Sequence, residues 1–255
     1  MKNNRWNLEG KQALVTGGTK GIGLSIVKEF LELGASVITV SRTESDLKKL
    51  CTTHNDPSKL KTFKADISEY NDRIELVKYV QEQWSHLDIL VNNVGTNIRK
   101  PVTEYNQEEY DKIVSTNLNS VFDLCKFTFP LLKNSEQGNV VNISSVAGLT
   151  FLKTGAVYAM TKAALIQLTK NLAGEWAKYN IRVNAIAPWY IKTPLVETVL
   201  KDSNYLKDVL GRTPMNKIGN PEDVSGAVSY LCMPSSAYIT GHCLNVDGGF
   251  MINGF

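Results

Sequence analysis

The stretch from Gln12 to Gly34 limits the fold more than any other part of the chain. Gln12 to Thr16 is a short apolar run that breaks into Gly17-Gly18-Thr19-Lys20-Gly21-Ile22-Gly23. After it Ile22, Ile26, Val27, Phe30 and Leu33 recur at helical spacing as far as Gly34. A β-branched run, Ser36 to Ser41, follows and closes a strand-helix-strand unit of about thirty residues. A glycine turn between strand and helix lets backbone N–H groups and the positive helix end face a pyrophosphate, because no Cβ blocks the approach. Dinucleotide binding is the function implied. The spacing is Gly17-x-x-x-Gly21-x-Gly23 rather than G-x-G-x-x-G, so the turn alone also suits a purely structural bend.

The same alternation continues along the chain. Leu60 to Ala65 reads as a strand, Ile74 to Trp84 as a helix, and Asp88 to Asn92 as a strand. A long helical region from Glu108 to Leu132 precedes a strand at Val140 to Ile143, then a helix carrying Tyr158, then a strand at Ile181 to Ala187. Alternation of this kind predicts an α/β fold, a doubly wound parallel sheet with helices on both faces. No repeat or low-complexity linker interrupts it, so residues 1–255 read as a single domain. Residues 188–221 break the rhythm with turn formers and short amphipathic pieces such as Leu195 to Lys201, as a lid or binding loop would.

The chemistry is expected around Tyr158 and Lys162. Positions four apart on a helix share a face, so the phenol and the ammonium can point into one site. An unperturbed tyrosine titrates near pH ~10, and an adjacent ammonium favours the phenolate and pulls that value down. Ser145 lies thirteen residues before Tyr158, just past an apolar strand, where its hydroxyl could bond a substrate oxygen. Tyrosine and lysine at this spacing also recur by chance in helices, so the pair has weight only beside the glycine turn.

At the end of the second strand, where NAD enzymes carry an acidic group for the adenine ribose diol, the chain has Ser41-Arg42, and Lys20 sits inside the turn. Two cations near that ribose suit a 2′-phosphate and favour NADP(H) over NAD(H). Asp66-Ile67, after the third strand, could contact the adenine, although an aspartate there also caps its neighbours. The 28 basic and 25 acidic residues are spread along the chain without a like-charge run, which argues against nucleic acid and membrane surfaces and for a small-molecule partner. The four cysteines are far apart and lack C-x-x-C spacing, so reduced thiols and a cytoplasmic location are expected. His54, His86 and His242 are isolated, and no metal site is expected. Trp84 and Trp176 fall at helix positions expected to pack into the core.

With these pieces placed, the whole chain resembles the short-chain dehydrogenase/reductase family. The likeness is carried in order by Thr16-Gly17-x-x-x-Gly21-x-Gly23, Asn92-Asn93-x-Gly95, Asn117, Ser145, Tyr158-x-x-x-Lys162, Pro188, Thr193 and Asp247-Gly248-Gly249. It implies a Rossmann-type domain with a seven-stranded parallel sheet, assembled as a homotetramer or homodimer. It further implies Tyr158 as acid/base, Lys162 lowering its pKa and holding the nicotinamide ribose, Ser145 orienting a substrate carbonyl, and Asn117 supporting a proton-relay water. Cofactor contacts would come from Gly17, Thr19, Lys20, Gly21, Ile22, Gly23, Ser41, Arg42, Asp66, Ile67, Asn93, Val94, Gly95, Pro188, Ile191 and Thr193.

Within the family the chain is most similar to the tropinone reductase-like group. The segments from Arg5 to Gly10, from Glu175 to Lys178, from Asn180 to Asn184, and the tail from Val246 to Gly249 ending in Gly254-Phe255 carry that likeness. Val94 stands where the family usually has alanine, and Trp189 replaces the glycine that normally follows Pro188. By the same resemblance Arg99, Ala147, Gly155 and Trp189 join Ser145 and Tyr158 in facing the substrate. None is acidic and Arg99 is permanently charged, so a neutral or anionic ketone is expected to suit the pocket better than the cationic amine tropinone. The activity implied is NADPH-dependent reduction of a small carbonyl compound, reversible to alcohol oxidation. The competing readings are a 3-oxoacyl-carrier-protein reductase, which a basic patch beside the site would support, and a non-catalytic NADP(H) sensor, which would have lost Tyr158 or Lys162.

Overall fold

The structure, a computed structural model, describes residues 5–54, 56–153 and 155–253. Its first half alternates β1 (Gln12–Thr16), α1 (Gly21–Glu32), β2 (Ser36–Ser41), α2 (Glu44–Thr53), β3 (Leu60–Lys64), α3 (Tyr70–Gln83) and β4 (Ile89–Asn92). The long helical region expected from Glu108 to Leu132 is unbroken: α4 (Gln107–Val114) and α5 (Ser120–Lys133) are joined by a π-helical turn at Ser115–Asn119. That turn, with its wider backbone bonding, contains Asn117. The second half runs β5 (Gly138–Ile143), α6 (Ala156–Trp176), β6 (Ile181–Pro188), α7 (Pro194–Leu200), α8 (Ser203–Gly211), α9 (Pro221–Cys232) and β7 (Cys243–Val246).

The strands form one seven-stranded parallel sheet in the order β3-β2-β1-β4-β5-β6-β7. Successive strand side chains point to opposite faces, which divides the core in two. Val15, Val37 and Val91 pack with Ile26 and Phe30 of α1 and Val224 and Val228 of α9 on one face. Leu14, Ile38, Leu90 and Val140 pack with Leu76 and Val80 of α3, Leu124 and Leu132 of α5, and Leu165 and Trp176 of α6 on the other. Burying each of these aliphatic side chains contributes about 1.5–3 kcal/mol, so the covered faces hold the sheet flanked on both sides. Trp84 packs against the second of these cores as a partly buried side chain.

The strand order reverses between β1 and β4, and both strands end at the same edge of the sheet. Such a switch point leaves a crevice outside the carboxyl ends of the strands, where doubly wound folds take their ligands. The alternation in the sequence marks the first six strands. The seventh is only four residues long and half-buried at the sheet edge, so no periodicity announces it. The polar α2, which buries only Leu47 and Leu50, escapes for a similar reason. Arg5 of the amino-terminal segment donates to the carbonyls of Pro234 and Ser235, while Gly254-Phe255 lies outside the described residues.

Candidate active site

Three side-chain bonds clamp the carboxyl end of β5 to α6. Asn142 Nδ2 donates to Thr169 Oγ1 at 2.9 Å, Ser144 Oγ donates to the Lys162 carbonyl at 2.7 Å, and Lys162 Nζ donates back to the Ile143 carbonyl at 2.8 Å. The clamp brings Ser145, immediately after the strand, beside Tyr158 on the first turns of α6. Ser145 Oγ accepts from the Ala147 N–H at 3.1 Å, which leaves its own proton to bond the Tyr158 phenol. Lys162 Nζ stands 5.7 Å from the centre of the Tyr158 ring.

Burial decides how these groups titrate, and it reverses one expectation. The Tyr158 phenol is pushed above its ordinary value by desolvation, against which the Ser145 hydrogen bond and the Arg99 charge pull it back. Lys162, 3% exposed, is itself pushed down to about 8 because burial penalises the ammonium. The lysine bonds a carbonyl rather than the phenol, so its charge does not offset the cost of enclosing Tyr158. Asn117 is wholly buried in the π turn. Its side chain accepts from the Thr96 N–H at 2.8 Å and donates to the Thr96 carbonyl at 2.9 Å and to Thr161 Oγ1 at 3.2 Å. Those bonds tie the loop after β4 to α6, and they leave the amide fixed as a brace.

Behind Tyr158 the short 3₁₀ turn Val146–Gly148 lies directly on α6. A Cβ on Gly148 would meet the Ala163 nitrogen and the Lys162 carbonyl carbon, each at 2.7 Å. Both are helix backbone and cannot swing aside. Gly148→Ala is expected to destabilise the fold by about 1–3 kcal/mol and lower Tm by several degrees. Thermal unfolding of the variant checks this, and an unchanged Tm would mean that the turn and the helix part without cost.

A cavity of about 630 Å³ runs over the ends of β1, β2, β4 and β5. Gly17, Thr19, Lys20, Gly21, Ile22, Gly23, Ser41, Arg42, Asp66, Ile67, Asn93, Val94, Gly95, Pro188, Ile191 and Thr193 all line it, together with Ser145, Tyr158 and Lys162. These residues fit a dinucleotide on the chain's own geometry. A Cβ on Gly23 would stand 2.2 Å from the Gly17 carbonyl oxygen, so only glycine lets the turn fold this tightly onto the start of α1. Asn93 Nδ2 holds the turn from below by donating to the Thr16 carbonyl at 2.9 Å. The bulk of Val94 is turned toward Gly17, whose Cβ would be 2.8 Å from a Val94 methyl. Both expected cations are ion-paired across the mouth, Lys20 with Asp46 at 2.8 Å and Arg42 with Asp66 at 3.5 Å. Asp66 also accepts from the Ser68 N–H and hydroxyl, as its capping role predicts. Asp46 was not read from the sequence, although an acid four residues after Arg42 was there to find.

A second cavity of about 600 Å³ opens on the other side of Tyr158. Arg99, Ala147 and Trp189 line it with Ser145 and Tyr158. Ser145, Tyr158 and Trp189 belong to both cavities. Gly155 does not line it: it precedes α6 with φ +104 and packs on the Tyr105 hydroxyl and the Ile98 carbonyl, so its place is set by backbone close approach. The Trp189 ring is held on three sides. Its Nε1 donates to Thr213 Oγ1 at 3.1 Å, it stacks on Phe250 at 3.9 Å, and it meets Tyr190 edge-on at 4.6 Å. Tyr190 and Tyr205, their hydroxyls 2.6 Å apart, complete an aromatic wall that sequence reading missed. The adjacent aromatics Trp189-Tyr190 were its one local sign. Among the described residues no group of histidine, cysteine, aspartate and glutamate side chains could hold a metal ion.

A doubly wound sheet with a glycine cradle at its switch point and a Tyr-Lys-Ser cluster beside it defines a nucleotide-binding oxidoreductase of the α/β class. A family model described as enoyl-(acyl carrier protein) reductase matches residues 17–251. The chain belongs to the short-chain dehydrogenase/reductase family and, within it, to the tropinone reductase-like group. A tropinone reductase homolog of Arabidopsis thaliana is 51% identical over 98% of this chain and 96% of its own length. Another from Datura stramonium is 42% identical over 98% of this chain and 96% of its own. Among solved structures, a gluconate 5-dehydrogenase from Burkholderia cenocepacia in complex with NADP and tartrate superposes with a TM-score of 0.92. It is 29% identical and the match covers 97% of this chain and 98% of that one.

Proposed function

We propose that the chain is an NADP(H)-dependent carbonyl reductase that converts a ketone to a secondary alcohol, with the reverse oxidation available. The observation that carries this reading is the position of Tyr158 and Ser145 on the wall common to the dinucleotide cradle and the aromatic cavity. The nicotinamide, when bound, supplies the hydride to the carbonyl carbon. Tyr158 gives its phenolic proton to the carbonyl oxygen, and Ser145 turns its one hydroxyl proton from the Tyr158 phenol to that oxygen. Because burial raises the Tyr158 pKa, the phenol rests protonated at neutral pH, the state that reduction needs. Lys162 keeps a cation beneath the site, and Asn117, which braces the loop after β4, would support a relay water. The chain would act in the cytoplasm, which four free thiols support, and as a homotetramer or homodimer, which the exposed Phe122 on α5 and Met160 on α6 support. No helix among the described residues is long and apolar enough to cross a membrane.

The test is a panel of ketones followed by NADPH absorbance and repeated with NADH. Consumption that depends on the ketone supports the reading, and none across the panel overturns it. The pH profile offers a second check. Lys162, pushed down to about 8, is cationic below that pH and neutral above it, so kcat/KM for NADPH is expected to fall above pH about 8. A profile flat to pH 10 would show that the lysine charge is not needed.

A second reading, reduction of a 3-oxoacyl group on an acidic carrier protein, gains from one observation. Lys153, Lys207 and Arg212 gather with Arg99 around the aromatic cavity, where the sequence shows only scattered cations. Kinetics with a carrier-bound substrate against free ketones separate the two.

A further inference from the structure

The two cavities that meet at Tyr158 handle charge differently. In the dinucleotide cradle Lys20 and Arg42 each face a carboxylate. Around the aromatic cavity stand Arg99 from the loop after β4, Lys153 from the loop before α6, Lys207 on α8 and Arg212 just past its end, with one carboxylate, Asp208. Among the described residues none of these four cations is in an ion pair. Arg212 is held by rings instead, its guanidinium carbon 5.0 Å above Phe250, which in turn stacks on Trp189. Arg99 is close enough to Tyr158 and Tyr190 for its charge to act on both phenols. A cavity with an aromatic wall and a rim of four cations to one carboxylate holds an apolar ring well and favours an anion beside it.

Accepting the carbonyl reduction argued above, on which this inference rests, we propose that the substrate is an oxo acid: a ketone on a ring-sized apolar body that also carries a carboxylate. The ring packs against Trp189, Tyr190 and Tyr205 with the ketone at Tyr158, and the carboxylate meets the cations of α8 and Arg99. In the reaction the carbonyl carbon gains a hydride and its oxygen gains the Tyr158 proton, the phenolate is reprotonated from solvent, and the carboxylate is unchanged. The rim excludes cationic amines for the same reason that it admits acids.

Three cyclohexanones of matched size test this: 4-oxocyclohexanecarboxylate, its methyl ester and 4-(dimethylamino)cyclohexanone, which are anionic, neutral and cationic at pH 7. The expected order of kcat/KM with NADPH is acid, ester, amine, with the acid ahead of the ester by about tenfold or more, a gap that shrinks as salt screens the rim. Lys207→Gln and Arg212→Gln should narrow the acid-to-ester ratio. Calorimetry on the Tyr158→Phe variant with NADPH bound should show tighter binding of the acid than of the ester, a readout independent of turnover. If the ester is reduced as well as the acid or better, the oxo-acid assignment fails while the carbonyl reductase reading stands. If wild type reduces no ketone, that reading fails and takes the inference with it. A 3-oxoacyl carrier protein reduced far faster than every free ketone overturns the assignment in favour of the carrier.

Discussion

Tyr158→Phe is expected to lower kcat for ketone reduction by about 10²–10⁴-fold, the usual contribution of a placed general acid, with little change in NADPH binding. The substitution removes one oxygen and its proton and keeps the ring that fills the junction between the cavities. The cradle survives because its anchors do not depend on the phenol: Lys162 is held on the Ile143 carbonyl and Asn93 on the Thr16 carbonyl. The Ser145 hydroxyl remains as a hydrogen-bond donor but is far too weak an acid to replace a phenol. Steady-state kinetics of the variant, with fluorescence titration of NADPH, decide the matter. Turnover near that of wild type would remove Tyr158 from the chemistry, and lost NADPH binding would assign it to the cofactor instead.

Coenzyme choice should be the next largest effect, with NADPH preferred over NADH by about ten- to a hundredfold. A charge-assisted hydrogen bond contributes roughly 1.5–3 kcal/mol when well placed, and Lys20 and Arg42 both line the cradle. Each must leave a carboxylate to reach a 2′-phosphate. That competition is weak, because the Lys20 and Arg42 side chains are 62% and 72% exposed and exposed ion pairs are worth only about 0–1 kcal/mol. The phosphate therefore wins by the larger part of each bond. Arg42→Ala should reduce the NADPH-to-NADH ratio of kcat/KM by about tenfold or more, and Asp46→Asn should raise it by freeing Lys20. Equal use of both coenzymes by wild type, or a ratio that Arg42→Ala leaves alone, would count against NADP(H).

Much of this was legible without coordinates because the signals are local. The glycine turn, the strand runs and the Tyr158-to-Lys162 spacing each depend on residues within a turn or two of one another, and backbone geometry converts them directly into shape. The structure corrected the expectations that depended on surroundings. Asn117 sits in a π-helical turn with its side chain committed to Thr96 and Thr161, which no local spacing announces. Gly155 belongs to backbone packing rather than to the cavity lining. Tyr158 titrates upward rather than downward, because the cost of enclosure exceeds the help of its neighbours.

By itself, then, the sequence determined the α/β alternation, the cradle at Gly17 to Gly23 and the order of the site residues, since chain periodicity and spacing encode all three. Only the tertiary structure decided that Asp46 and Asp66 face the two cradle cations, and that Tyr190 and Tyr205 wall the second cavity. It alone brought Arg99, Lys153, Lys207 and Arg212, more than a hundred residues apart at the extremes, to one rim. Charge and burial act through space, and a chain read in order carries neither until the sheet and its helices have set which distant residues share it.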